Sequence, residues 1–156
     1  LGLDMVADVY RKPICMVNLT PIFHLKSWTK SLTVPKHLYW KQPRQTHLTM
    51  AEYFSLYSNG RTSLSAADYA NLGVAIVDLT SEEIKEAVLE MENRLSGTWI
   101  TEVGGSLLQR RFRNIFLNWD GYSEHHGKAQ DEVLVGADFL RKKDLWLEST
   151  FRDEIV

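Results

Sequence analysis

Hydrophobic and polar positions along this chain alternate between two periods. Leu3, Val6, Ala7 and Val9-Tyr10 recur at helical spacing ahead of Arg11-Lys12-Pro13. A short helix is therefore expected over residues 3–11, and the proline disfavours its continuation. Ile14-Cys15-Met16-Val17 is a continuous apolar run of strand length with helix-breaking flanks, the mark of a buried strand. A helix feeding such a strand is the αβ half of a βαβ unit, whose first strand would lie before Leu1. Residues 19–47 then keep no sustained period. Pro21, Pro35 and Pro43, with Trp28, Tyr39 and Trp40, make this an irregular aromatic excursion, packed and containing a short strand within Ser31 to Tyr39.

Regular spacing returns at Thr49-Met50-Ala51-Glu52, a capping box that opens a helix through about Tyr57, with Asn59-Gly60 as its stop. Ser65 to Asn71 reads as a second short helix closed by Gly73, and Val74-Ala75-Ile76-Val77 as a second buried strand. Thr80-Ser81-Glu82-Glu83 is another capping box. Behind it Ile84, Ala87, Val88, Met91 and Leu95 trace one apolar helical stripe, with Glu90 and Arg94 one turn apart and Gly97 at the close. After Gly104-Gly105 a further helix carries Leu108, Phe112, Ile115, Phe116 and Trp119 on one face and Arg110, Arg111 and Arg113 on the other. Residues 118–128 form a polar loop, and Asp131 to about Ser149 is expected to be helical. The pattern is α/β, a partial Rossmann-like parallel sheet with flanking helices and a helical end over 102–149. Strands 14–18 and 74–78 are expected to lie parallel in one sheet.

Composition narrows this picture. The 156 residues make one domain, 1–156, with 44% hydrophobic and 24% charged residues. Eighteen Lys and Arg against twenty Asp and Glu leave no electrostatic footprint for nucleic acid. No apolar run has the length of a transmembrane segment. A single cysteine, Cys15, excludes an intramolecular disulfide and a multi-cysteine zinc site; it fits a reducing compartment, so a cytoplasmic location is expected.

The chemistry-bearing residues form no standard motif. His24, His37 and His47 lack the one-turn spacing of a helical metal site, and His125-His126 are adjacent; they read as solvated loop histidines, with no metal. Cys15 reads as a small core residue, and the arginines of 110–113 as a solvated helix face. No nucleophile elbow, no phosphate loop and no Asp-x-Asp pair occurs. Two placements stand out. Gly2 and Asp4 lie where a glycine turn enters a helix, whose free N–H groups favour phosphate. Asn18, Thr20 and His24 follow the carboxyl end of a buried strand, where parallel sheets bind ligands. Capping and turn formation account equally well for Asp4 and Asn18.

Gly2-Leu3-Asp4 followed by Tyr10-Arg11-Lys12-Pro13-Ile14-Cys15-Met16-Val17-Asn18 resembles the donor-binding turn, helix and strand of glycosyltransferases with two Rossmann-like domains, although Arg11-Lys12-Pro13 replaces the usual glycine-containing lead. Further segments continue in order: Val17-Asn18 with Pro21 and His24, Val34-Pro35-Lys36, Leu48-Thr49, Leu72-Gly73-Val74, Ser81-Glu82-Glu83-Ile84, Arg94-Leu95 with Gly97-Thr98-Trp99, and Gly136-Ala137-Asp138-Phe139-Leu140-Arg141. Through them the chain is similar to the C-terminal part of a bacterial glycosyltransferase family associated with surface-polysaccharide loci. The resemblance implies a C-terminal fragment holding the nucleotide-sugar-binding half, with Gly2, Asp4, Asn18, Thr20 and His24 toward a nucleoside-diphosphate sugar. It implies no metal and no cofactor, a catalytic base supplied by the other domain, and no activity of the isolated fragment. For such a fragment, the sheet edge where the missing strands belong is expected to be exposed and covered by a second copy, making a homo-oligomer. The other reading is a non-enzymatic α/β interaction module that self-associates through its exposed aromatic residues.

Overall fold

Local signals in the chain start most of its elements. The computed structural model describes residues 2–57, 61, 63–126 and 133–148. Helix α1 (Leu3–Val9) leads into strand β1 (Ile14–Leu19), a 3-10 turn (Ile22–His24) and strands β2 (Ser31–Pro35) and β3 (His37–Trp40). Helices α2 (Met50–Ser55) and α3 (Ala66–Asn71) precede strand β4 (Val74–Val77), and α4 (Ser81–Ser96) follows. The chain closes through α5 (Gly105–Leu117), α6 (Tyr122–His125), strand β5 (Val133–Val135), α7 (Ala137–Lys142) and a 3-10 turn (Asp144–Leu147). Reciprocal capping boxes open α2 (Thr49 with Glu52), α3 (Ser65 with Asp68) and α4 (Thr80 with Glu83). Gly97 ends α4 at φ +75°, the left-handed conformation that glycine adopts without a Cβ clash.

The fold is α/β, with a partial Rossmann-like sheet. Its three parallel strands run in the order β1-β2-β5, with Ile14 opposite Ser31 and Ser31 opposite Val133. Cys15 and Val34 meet α4 on one face: the Cys15 thiol approaches the Ala87 carbonyl, and Val34 and Ala87 line one shallow cleft. By strand alternation Thr33 and Val135 turn to the opposite face, where both are fully buried. Aromatic rings dominate the core. Phe112 stacks on Phe116, Phe54 stacks on Trp119, and Phe23 lies between Tyr57 and Trp119.

Four expectations need correction. Strand 74–77 does not join the parallel sheet. It pairs antiparallel with β3, Val74 opposite Trp40 and Val77 opposite His37, because Lys36 turns the chain directly from β2 into a second strand that needs its own partner. The helix expected over 131–149 is helical only in α7 and the closing 3-10 turn; before them lies strand β5, whose Val133 and Val135 are buried against β2, since the short run Val133-Leu134-Val135 satisfies either period. On α4 the buried positions are Ala87 and Glu90, while Val88 and Leu95 are 53% and 58% exposed. The histidines are not uniformly solvated, since His37 and His126 are buried. The stop at Asn59-Gly60 and the loop end at Gly127 lie outside the described residues.

Candidate functional site

The carboxyl ends of β1, β2 and β5 come together at Leu19, Pro35 and Val135, and two helices start beside them. At the end of β1, Asn18 adopts φ +58°, a left-handed conformation that asparagine tolerates better than most residues. Its Oδ1 accepts a hydrogen bond from the Leu79 N–H at 2.7 Å, which fixes the entry to α4. Thr20 follows. Its hydroxyl lies 3.4 Å from the hydroxyls of both Tyr53 and Tyr69, and Tyr69 bonds in turn to Tyr57. Tyr53 also accepts the Ile22 N–H at 2.8 Å. Burial raises the pKa of Tyr53 and of Tyr57, which keeps these two phenols in their neutral form.

Gly2 and Asp4 belong to a different environment. The Asp4 carboxylate pairs with Lys26 Nζ at 3.0 Å, and Lys26 also binds Asp8. Burial alone would lower the Lys26 pKa, but the two carboxylates hold it above its usual value, and Lys26 holds Asp4 below its own. No hydrogen bond or ion pair joins Asp4 to Asn18, Thr20 or His24 among the described residues. His24 is exposed and sets its ring edge-on to Phe23, with His125 stacked on the same phenyl group. Burial, then the neighbouring His125, lowers the His24 pKa. The structure thus brings Asn18 and Thr20 to one strand end and leaves Gly2, Asp4 and His24 apart from them. The Asn18 amide oxygen and the Asp4 carboxylate are already occupied.

Sequence reasoning missed the polar group at the end of β2. Lys36 places Nζ 2.5 Å from Asp78 Oδ1, on the surface beside the start of α4. Next to it the buried His37 bonds through Nε2 to Glu83 at 2.7 Å and through Nδ1 to His47 Nε2 at 3.3 Å. The Glu83 carboxyl is held below its usual pKa: burial opposes this, but the Thr80 N–H and hydroxyl and His37 outweigh it. The available signal was positional, since Lys36 and His37 directly follow the strand signal of Leu32 to Val34, and Pro35 masked the strand's end.

A second concavity, of about 300 Å³, lies between the end of α4 and the starts of α5 and α7, near the lower limit of small-molecule sites. Trp99, Arg94, Gly104, Leu107 and Arg141 line it. Its cations are both paired. Arg94 lies 4.6 Å over the Trp99 ring and binds Glu90 at 2.7 Å, and Arg141 binds Glu102 and Asp138. Arg111 of the arginine-rich helix face donates to the Leu147 carbonyl, a structural contact. Among the described residues no helix is long and apolar enough to cross a membrane. No family model, curated protein or solved structure matches the chain.

Proposed function

We propose that this chain is the donor-side half of a glycosyltransferase, binding a nucleoside-diphosphate sugar at the carboxyl end of its parallel sheet. One observation supports this reading. The three strands end together where α4 and α7 begin, the position at which sheets of this kind receive phosphorylated ligands. On this reading the binding side chains differ from those named by the sequence. Lys36, paired at the surface with the exposed Asp78, and Thr20 offer a cation and a hydroxyl at that end, whereas Asp4 is paired with the buried Lys26 and Asn18 anchors Leu79. The leaving diphosphate would meet Lys36 released from Asp78. The acceptor and the catalytic base come from the other half, so the isolated chain turns over no sugar.

Titration with UDP, GDP and CMP, followed by amide chemical shifts, tests this. Saturable shifts at Leu19, Thr20, Lys36 and Gly136 that weaken about tenfold in Lys36→Ala are expected, roughly the 1.4 kcal/mol of one charge-assisted contact. Shifts confined to other surfaces, or none, would sink the proposal. A second reading, a module that acts by self-association, is favoured by the apolar flank that the sheet leaves exposed beside β1.

A further inference from the structure

The two edges of the parallel sheet are finished differently. In the parallel ladder, Gly136 N–H donates to Thr33 O, so the N–H and C=O of Val135 point away from β2. There the Gln109 side chain meets them: its amide donates to Val135 O at 2.5 Å, and its carbonyl accepts Val135 N–H at 3.2 Å. At β1 the same logic applies from the other side. Ile14 N–H donates to Lys30 O, so the N–H and C=O of Cys15 and Val17 point outward, and no strand lies beyond them among the described residues. Ile14-Cys15-Met16-Val17-Asn18-Leu19 carries no charge and no proline, the usual devices that blunt a free edge.

The helix above this edge is unfinished on the same side. Ala87 faces Cys15, and Glu90 turns toward α7 to accept the Ala137 N–H. At 100° per residue, Ile84, Val88, Met91 and Leu95 then project on the flank opposite α7, over the open edge. Val88 and Leu95 stand in solvent there, and the stripe is uncharged.

The geometry points to a second copy of this chain as the occupant of that flank, in an isologous dimer whose two-fold axis passes by Met16. Antiparallel pairing about Met16 sets Cys15 opposite Val17 of the second copy and Val17 opposite its Cys15. Each facing pair exchanges both hydrogen bonds, which satisfies the four outward groups of each strand with none left over. The same axis lays the two α4 stripes side by side on one face of a continuous six-stranded sheet, apolar against apolar, with no like charges brought together. This deepens the self-association reading and uses neither Lys36 nor Thr20. Its failure is therefore distinguishable from a failure of the nucleotide titration.

Sedimentation of the whole chain at micromolar concentration should give a dimer. Val88→Glu, at an exposed position that folding does not use, should weaken association at least tenfold with an unchanged far-ultraviolet circular dichroism spectrum. Val17→Pro removes an outward N–H and should act in the same direction. In a Cys15→Ser background, Met16→Cys should cross-link under mild oxidation, because facing non-hydrogen-bonded residues bring their Cα atoms to about 4.5 Å, within disulfide reach. Leu117→Cys, at the end of α5, should not. A monomer at every concentration, a dimer indifferent to Val88→Glu and Val17→Pro, or a dimer in which Met16→Cys fails to cross-link would each overturn the inference.

Discussion

The β5 side and the β1 side of the sheet use similar apolar material to different ends. On the β5 side, Gln109 closes the strand edge, Glu90 fastens α4 to the start of α7, and Phe112, Phe116 and Trp146 fill the space behind. On the β1 side the edge stays open, and Val88 and Leu95 of α4 face water. The difference teaches that hydrophobic side chains do not by themselves close an α/β layer. Closure comes where a polar side chain takes up the backbone groups that the sheet leaves unpaired.

The sharpest way to break the comparison is to truncate one apolar residue on each side. Phe112 is fully buried and stacks on two rings, so Phe112→Ala should cost about 3–5 kcal/mol in urea unfolding. In a monomeric sample Val88→Ala should stay within about 0.5 kcal/mol. Equal costs would erase the distinction. Glu90→Ala removes a buried carboxylate that accepts from Ala137 N–H and two Arg94 nitrogens. A loss of about 2–3 kcal/mol is expected, with α7 amides exchanging faster than those of α2. Gln109→Ala should cost about 1–3 kcal/mol, because Val135 N–H and C=O lose their partners at a buried position, and exchange at the Val135 amide should accelerate selectively. Slow exchange at Cys15 and Val17 in a monomeric sample would contradict the open edge directly.

The smallest effect is set by pH. His126 is buried and bonded to Ser27, and burial, with His125 and His24 nearby, holds its pKa below the usual 6.5; His24 shifts the same way. A histidine with a depressed pKa in the folded state takes up a proton on unfolding. Its contribution is therefore complete above about 6.5 and declines as the pH falls toward the folded value. Unfolding midpoints measured across that range should fall with acid, and His126→Phe should flatten the slope. A midpoint that rises with acid would refute the assignment.

Much of this was legible in the chain, and the rest was not for identifiable reasons. The capping boxes at Thr49 and Thr80 and the left-handed stop at Gly97 depend on residues one turn apart, so sequence alone specified them. The strand at Ile14 and the helix from Gly105 were equally plain, but not the strand's place: β1 lies at the sheet edge with only Ile14 buried. The candidate site was legible as a place, the end of β1, but not as a set of groups. Asn18 has the chemistry of a ligand and of a tether, and only the approach of Leu79 from sixty-one residues away made it a tether. Asp4 was likewise claimed by Lys26. Lys36 and His37 were hidden behind Pro35, which reads as a break and ends a strand here.

By itself the sequence determined where helices begin and stop, which runs are apolar enough to be strands, and that the class is α/β. Those outcomes rest on propensity, capping and periodicity, which act over a few residues. The tertiary structure decided that Val74–Val77 pairs with β3, that Val133–Val135 is a strand, that Glu90 rather than Val88 is buried, and that one sheet edge is sealed while the other is open. These depend on which distant groups meet, and a run such as Val-Ala-Ile-Val satisfies either sheet until its neighbours have been placed.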